Sequence, residues 1–233
     1  MEVQLQIKMN EKLFLRNPEQ SELGKKIILH SIQLIHKNGF ESFTFKKLAD
    51  DIGTTEAGIY RYFENKHRLL IYIAAWYWSW LEYRVAVTTN NIKDPAAKLK
   101  KVIKLLATVV EDDIKTSHVN ENILHQIIIA EGTKAYLTKH VSEDNKDQLF
   151  KPYKDLCAKI GEIILDCNTK SSKNITIFDS SFSFPKSVSA GRLYIKKFWK
   201  CAISIIVLAS DFGYLYLGLQ SRIISPILAQ RSL

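Results

Sequence analysis

The chain has 233 residues, of which 46% are hydrophobic and 24% are charged, so it is an ordinary globular chain that can bury a substantial core. Five prolines and nine glycines are few for a β-rich protein, and a formal net charge of +9 favours a polyanionic partner. Residues 1–16 lack the apolar core of a signal peptide, and Lys200 and Asp211 interrupt the longest apolar region, so we expect a soluble cytoplasmic protein without a membrane span.

The charge is not concentrated at the N-terminal end of the chain. Residues 1–70 contain eleven Lys and Arg against nine Asp and Glu, a net charge of +2 out of the total of +9. Net charge is therefore weak support for nucleic-acid binding by this part of the chain, and the case depends on sequence motifs.

Residues 1–20 read as a loose arm that ends at Pro18. Such an arm can enter a DNA minor groove, but a frayed terminus is the simpler interpretation. Ser21–Asn38 is an amphipathic helix that closes at Gly39, with an isoleucine-rich stripe along one face. Phe40 and Phe43 then supply core residues for a three-helix domain.

Residues 43–70 contain two helix starts, a tight turn and the start of a third helix. Thr44 is placed to cap a helix over residues 45–51, and Gly53 stands where a left-handed residue ends it. Thr54 and Thr55 offer the next N-cap, for a helix over Glu56–Tyr62. This spacing predicts a helix-turn-helix.

The second of these helices has two different faces. Ile59 and Phe63 are spaced i, i+4 to pack inward, whereas Ala57 and Gly58 leave the opposite face almost bare. A bare face allows the backbone of a helix to approach a DNA major groove closely.

Residues 48–70, LADDIGTTEAGIYRYFENKHRLL, resemble the signature of the TetR/AcrR family of bacterial transcriptional repressors. Leu-Ala, a turn glycine, Tyr-x-x-Phe and Lys-x-x-Leu recur in that family at this spacing, and the resemblance covers roughly Lys25–Ala75. It implies an all-α protein, in which an N-terminal three-helix DNA-binding domain precedes a helical-bundle domain for ligand binding and dimerisation. We accordingly divide the chain into a flexible arm (1–20), a helix-turn-helix domain (21–65) and a helical effector-binding and dimerisation domain (66–233).

The resemblance also places a set of residues at the surface that meets the operator. These are Thr44, Lys46, Thr55, Glu56, Ala57, Gly58, Tyr60, Tyr62 and Lys66. The hydroxyls of Thr44, Tyr60 and Tyr62 and the ammonium of Lys66 suit phosphate contacts, and Lys46, Thr55 and Glu56 suit base edges. The alternative for each tyrosine is a half-buried core ring, and for Glu56 a role at the dipole of its own helix.

Asn65 caps a long helix from Lys66 to about Val87. Trp76, Trp80 and Tyr83 share one face of it at i, i+4 and i+7, and they could form an aromatic wall of an effector pocket. The alternative is that they are large core and interface residues.

Asp94-Pro95 opens the next helix, which ends around Ile114, and another long helix is predicted from Glu143 to about Asn168. His118, Glu121 and His125 recur at i, i+3 and i+7, but two histidines and a carboxylate on a polar helix are usually solvated, so we predict no metal and no cofactor. The cysteines, at positions 157, 167 and 201, form no metal-binding spacing and read as buried thiols. Residues 169–186 form a polar, Ser-rich loop, either a lid or an insertion.

Ser187–Ser210 and Asp211–Leu228 are predicted as the last two helices, and both are apolar on more than one side. In the family the terminal helices form a four-helix dimer interface, which is our preferred use of this apolar surface. The alternative is burial within one chain. The candidate interface residues are Leu193, Phe198, Ile205, Leu208, Tyr216 and Leu219.

These observations favour a homodimeric, ligand-responsive repressor that binds a pseudo-palindromic operator in double-stranded DNA and an unknown small-molecule effector. The alternative is a helical small-molecule or protein-binding module with a degenerate DNA-binding head. An enzyme is not expected, because the sequence has no Gly-rich phosphate loop and no nucleophile motif.

Overall fold

The computed structural model describes residues 7–107, 120–136 and 139–170, and within these ranges the regular structure is helical throughout. The all-α prediction is therefore confirmed for this part of the chain. His118, residues 171–186 of the predicted loop and all six candidate dimer residues lie outside the described ranges. The α-helices are α1 Glu22–Ser42, α2 Phe45–Ile52, α3 Glu56–Tyr60, α4 Lys66–Thr89, α5 Pro95–Ala107, α6 Glu121–Tyr136, α7 Val141–Lys146 and α8 Lys151–Lys170.

The described residues divide into two compact units. One contains residues 7–84, 120–136 and 139–157, and the other contains residues 85–107 and 158–170. Helices α1–α3 therefore cluster with α6, α7 and the first half of α8 rather than standing apart. The predicted boundary between residues 65 and 66 stays a prediction.

The core of α1–α3 is aromatic and aliphatic. Ile27, Ile32 and Ile35 of α1 are buried, as their spacing predicts, and they are joined by Phe43 and Leu48. Gly39 interrupts α1 at φ 75° and ψ 158°, a backbone conformation that suits glycine, and one more turn follows it. The prediction that the isoleucine stripe of α1 and Phe43 form the core of this domain is thus confirmed.

The N-terminal segment differs from the loose arm predicted for residues 1–20. Residues 7–20 include two 3₁₀ turns, Glu11–Leu13 and Pro18–Gln20, capped by the side chains of Asn10 and Asn17. Leu13 is buried. Because the contacts of this segment are with residues far along the chain, no local pattern predicted them.

The prediction of one continuous helix from Glu143 to about Asn168 is wrong. The structure has two helices here, α7 and α8, separated by a turn in which Gln148 has a φ of 58°. Pro152 lies in the first turn of α8, where its missing N–H breaks no hydrogen bond. Proline restricts the residue before it, so Pro152 was the available signal for a helix start here.

Two further features concern ligands and membranes. In the described ranges, no group of three or more His, Cys, Asp and Glu side chains could hold a metal ion. None of the helices in these ranges is both long and apolar enough to cross a membrane. Cys157 is half-buried on α8.

Candidate nucleic-acid interface

Helices α2 and α3 are joined by a short turn with hydrogen bonds at both ends. The Thr44 hydroxyl accepts from the Lys47 N–H at 3.2 Å and begins α2. Gly53 ends it in the left-handed region, at φ 69° and ψ 40°. The Thr55 hydroxyl then accepts from the Gly58 N–H at 3.1 Å and begins α3. Local capping thus fixes a helix-turn-helix as the sequence predicts.

The two faces of α3 have opposite environments. Ile59 and the following Phe63 are completely buried. Glu56 and Ala57 are exposed, and Gly58 is half-exposed. A Cβ atom at Gly58 would lie 3.0 Å from the Thr54 hydroxyl. The absence of a side chain at Gly58 therefore lets the turn between α2 and α3 lie close to α3. The outer face of α3 is therefore open and nearly without side chains.

Two exposed cations occur at the two ends of the helix-turn-helix in sequence. Lys46, in the first turn of α2, and Arg61, directly after α3, are both exposed and form no hydrogen bond or ion pair with the residues described. The neighbouring Lys47 differs, because its ammonium donates to the Ser42 carbonyl at 2.8 Å. Lys46 and Arg61 are thus the cations of this region whose charge is unused within the fold.

Lys66 has a structural environment that the sequence did not predict. Its ammonium donates to the carbonyl oxygens of Phe40, Glu41 and Phe43 at 3.1, 3.2 and 3.1 Å, and it lies 4.7 Å from the centroid of the Phe40 ring. These three bonds use all three ammonium protons. Lys66 therefore ties the start of α4 to the end of α1, and its predicted phosphate contact stays a prediction.

The two tyrosines predicted at the interface are in different places. Tyr60 is 47% exposed, and its ring packs edge-on against Phe45 with a centroid distance of 5.0 Å. Tyr62 is 2% exposed, and its hydroxyl shares a 2.8 Å hydrogen bond with the Ser21 hydroxyl. We therefore keep Tyr60 in the candidate set and assign Tyr62 to the core.

Two contacts that hold α1 in place were missed by the sequence reasoning. His30 Nδ1 lies 2.6 Å from Asp51 Oδ2 on α2. At the end of α1, the Lys134 ammonium of α6 lies 3.0 Å from a Glu41 carboxylate oxygen, and its hydrogen bond lowers the pKa of Glu41. Both join residues far apart in sequence, so spacing gave no signal for either.

The base of α4 is anchored by a largely buried ion pair. Arg68 Nη1 donates to Asp144 Oδ1 of α7 at 2.8 Å, and the Asp144 side chain is 2% exposed. Burial raises the pKa of Asp144, whereas the Arg68 guanidinium acts in the opposite direction. Removing one member of such a pair leaves the other charge buried and uncompensated.

The three candidate effector residues differ in exposure. Trp76 and Trp80 are buried, whereas Tyr83 is 47% exposed. Trp80 packs instead near Tyr77, whose hydroxyl shares a 2.6 Å hydrogen bond with His125 Nδ1 of α6.

The aromatic cluster around Tyr77 extends from α4 to α6 and α8. The Trp78 N–H donates to the Tyr136 hydroxyl at 2.7 Å, and both rings pack against Tyr153. Burial lowers the pKa of His125 and raises the pKa of Tyr77. The polar atoms of this cluster thus bond to one another within an apolar core.

Comparison with known proteins gives one family match. Residues 27–73 match the model of bacterial regulatory proteins of the tetR family. The match includes most of α1, all of α2 and α3, and the first part of α4. No curated protein and no solved structure gives a match to the chain. The matched helices carry the exposed face of α3 described above, so residues 27–73 form a DNA-binding domain of the kind found in bacterial regulatory proteins of the tetR family.

Proposed function

We propose that the chain is a ligand-responsive repressor that acts as a homodimer on a pseudo-palindromic operator in double-stranded DNA. In this proposal each protomer places α3 in a major groove, and two copies read two half-sites. An effector bound elsewhere in the chain weakens DNA binding, and by linkage DNA weakens effector binding by the same factor. The protein acts in the cytoplasm, where the operator is accessible.

One observation supports this proposal more than any other. The exposed face of α3 has small residues, and the exposed cations Lys46 and Arg61 occur at the two ends of the helix-turn-helix in sequence. Buried Ile59 and Phe63 hold the opposite face in the core, so the helix is presented rigidly. An open helix face flanked by cations suits a groove lined with phosphates.

The proposed contacts follow from exposure. Thr44 and Tyr60 are assigned to phosphates and Lys46, Thr55 and Glu56 to base edges, with Ala57 and Gly58 providing the close approach. Glu56 reads cytosine in this scheme, because a carboxylate accepts from the cytosine amino group. Arg61 is added as a phosphate contact.

The experiment is selection of bound sequences from random duplex DNA at about 150 mM salt, where nonspecific attraction to phosphate is already weakened. We expect enrichment of an inverted repeat, which would support both sequence-specific binding and the dimer. Enrichment of an unrepeated site would contradict the dimer alone. The absence of any enriched sequence would contradict specific DNA binding and favour the helical binding module.

The effector site is proposed near α4, where the buried Trp76 and Trp80 precede the exposed Tyr83 on one helix face. A screen of apolar small molecules by tryptophan fluorescence tests it, and we expect at least one compound to change the emission. A response that persists in a Tyr83→Ala variant with unchanged affinity would place the site elsewhere.

A further inference from the structure

The N-terminal segment contacts both the helix-turn-helix and the turn after α7. We call residues 7–21 the strap. Asn10 is central to its local structure, because its side-chain oxygen accepts from the Lys12 N–H at 3.0 Å and caps the first 3₁₀ turn. Leu13 is 1% exposed, so the strap contributes to the core rather than lying loosely on the surface.

Three groups of the strap hold Tyr62, which lies in the turn directly after α3. The Leu15 N–H donates to the Tyr62 carbonyl at 2.8 Å. The Arg16 guanidinium lies 5.4 Å from the centroid of the Tyr62 ring. The Ser21 hydroxyl shares a 2.8 Å hydrogen bond with the Tyr62 hydroxyl. The strap thus contacts both the backbone and the ring of Tyr62, two residues after the end of α3.

The other end of the strap contacts Asp147, the residue directly after α7. The Asn10 side-chain N–H donates to the Asp147 carbonyl at 2.9 Å, and the Lys12 ammonium lies 2.6 Å from the Asp147 carboxylate. Between the two ends, the strap also holds α4, because the Tyr72 hydroxyl donates to Glu19 at 3.1 Å. Asp147 and Tyr62 are therefore connected through a short, ordered piece of chain.

We propose that the strap couples the turn after α7 to the recognition helix α3, so that the state of this turn sets the DNA affinity. The regulatory part of this inference rests on the proposed DNA-binding function. Lys12 and Asp147 are partly exposed, at 63% and 35%, so the contacts of the strap with Asp147 can break while Leu13 stays in the core. Breaking these contacts loosens the hold of the strap on Tyr62 and the end of α3, which then have to be ordered again when DNA binds.

The test uses two variants of the full chain that differ only in where a negative charge is added. Asn10→Asp keeps the oxygen that caps the 3₁₀ turn but replaces the donor to the Asp147 carbonyl with a carboxylate oxygen, so this contact becomes repulsive. Gln20→Glu is the matched control, because Gln20 is exposed in the same segment and makes no contact with Asp147. Both variants change the net charge equally.

Amide hydrogen exchange tests the coupling without DNA. In Asn10→Asp we expect the Leu15, Tyr62 and Phe63 amides to exchange about 2- to 10-fold faster than in Gln20→Glu, the change expected from losing one hydrogen bond. Faster exchange confined to the amides near Asn10 would overturn the coupling. If Asn10→Asp unfolds the whole chain, Lys12→Gln at the exposed ion pair replaces it, with the same two outcomes.

DNA binding then tests the regulatory part. With a random-sequence duplex as the probe, we expect Asn10→Asp to bind about 2- to 10-fold more weakly than Gln20→Glu. Equal binding by the two variants would overturn regulation through the strap. If the unaltered protein binds no duplex while the exchange result holds, the proposed DNA-binding function fails and the coupling between the turn and α3 stands.

Discussion

At the scale of single residues, Lys66 shows how one side chain joins two elements. Lys66→Ala removes an ammonium that donates to three carbonyl oxygens at the end of α1. We expect the free energy of unfolding to fall by about 1–3 kcal/mol, because those carbonyls lose a charged donor. Denaturant unfolding measures it, with exposed Lys46→Ala as the control, expected to change it by less than about 0.5 kcal/mol.

Equal stability of these two lysine variants would contradict the structural role of Lys66. If Lys66→Ala also reduced DNA binding at unchanged stability, the ammonium would be a phosphate contact after all. The two roles are thus separated by measuring stability and DNA binding on the same variants.

Lys46 and Arg61 are both exposed cations, but we expect them to differ in what they contact. Lys46→Ala is expected to change the preferred bases, with a loss of discrimination of about 1–3 kcal/mol at one position. Arg61→Ala is expected to weaken all sequences alike and to lower the salt slope by about one. Binding titrations on several sequences and salt concentrations test this, with Lys26→Ala on α1 as the control. Uniform loss in the Lys46 variant would contradict base reading.

At the scale of elements, replacing glycine by alanine is expected to have opposite effects on stability at two positions, Gly53 and Gly132. Gly53 ends α2 at a φ of 69°, and a Cβ there would meet nothing within 4 Å, so Gly53→Ala acts through backbone strain alone. Gly132 lies inside α6 with helical geometry, and a Cβ there would be 3.4 Å from Ile128, an ordinary contact.

We expect Gly53→Ala to destabilise the chain by about 1 kcal/mol or more and Gly132→Ala to stabilise it by about 0.5–1 kcal/mol. Thermal or denaturant unfolding of both variants checks the signs. Stabilisation by Gly53→Ala would show that the left-handed end of α2 is not required by the turn.

The elements that sequence predicted are those determined by neighbours in the chain. The caps Thr44, Thr55 and Asn65 and the left-handed Gly53 each act within about one helical turn, so their spacing was sufficient. The contacts of the strap and the three hydrogen bonds of Lys66 were not predicted, because they join residues that are far apart in sequence.

The candidate site was predicted in part for the same reason. Exposure of Lys46, Thr55, Glu56 and Ala57 agrees with the face that i, i+4 spacing leaves outside. Tyr62 was ambiguous from sequence, because its environment depends on Ser21 and the strap, which only tertiary packing brings together. Spacing along α4 likewise could not tell buried Tyr77 from exposed Tyr83.

At the scale of the whole molecule, two half-buried histidines lead us to expect a loss of stability in acid. Burial lowers the pKa of both His67 and His125 below the ordinary value of 6.5. The unfolded chain therefore binds protons at a higher pH than the folded chain does. The contribution of these residues is complete above about pH 6.5 and decreases as the pH falls toward the lowered pKa values.

We expect thermal unfolding to show a lower Tm at about pH 5.5 than at about pH 7.5, and His125→Asn to show a smaller difference between the two. Asparagine keeps an acceptor for the Tyr77 hydroxyl but does not titrate. His36→Asn, at an exposed position, is the control. A pH dependence of Tm that is unchanged in His125→Asn would exclude this histidine as a source of the effect.

The aromatic cluster also determines what an optical experiment on this protein can report. The chain has four tryptophans, and three of them, Trp76, Trp78 and Trp80, fall within a stretch of five residues of α4. No tryptophan occurs in residues 1–75, so α1–α3 emit no indole signal. The emission of Trp76, Trp78 and Trp80 will therefore follow events around the middle of α4, and no tryptophan of α1–α3 can report the contact of α3 with DNA. Observing the contact of α3 with DNA by fluorescence requires an added chromophore, for which exposed Lys37 of α1 offers an attachment position outside α2 and α3.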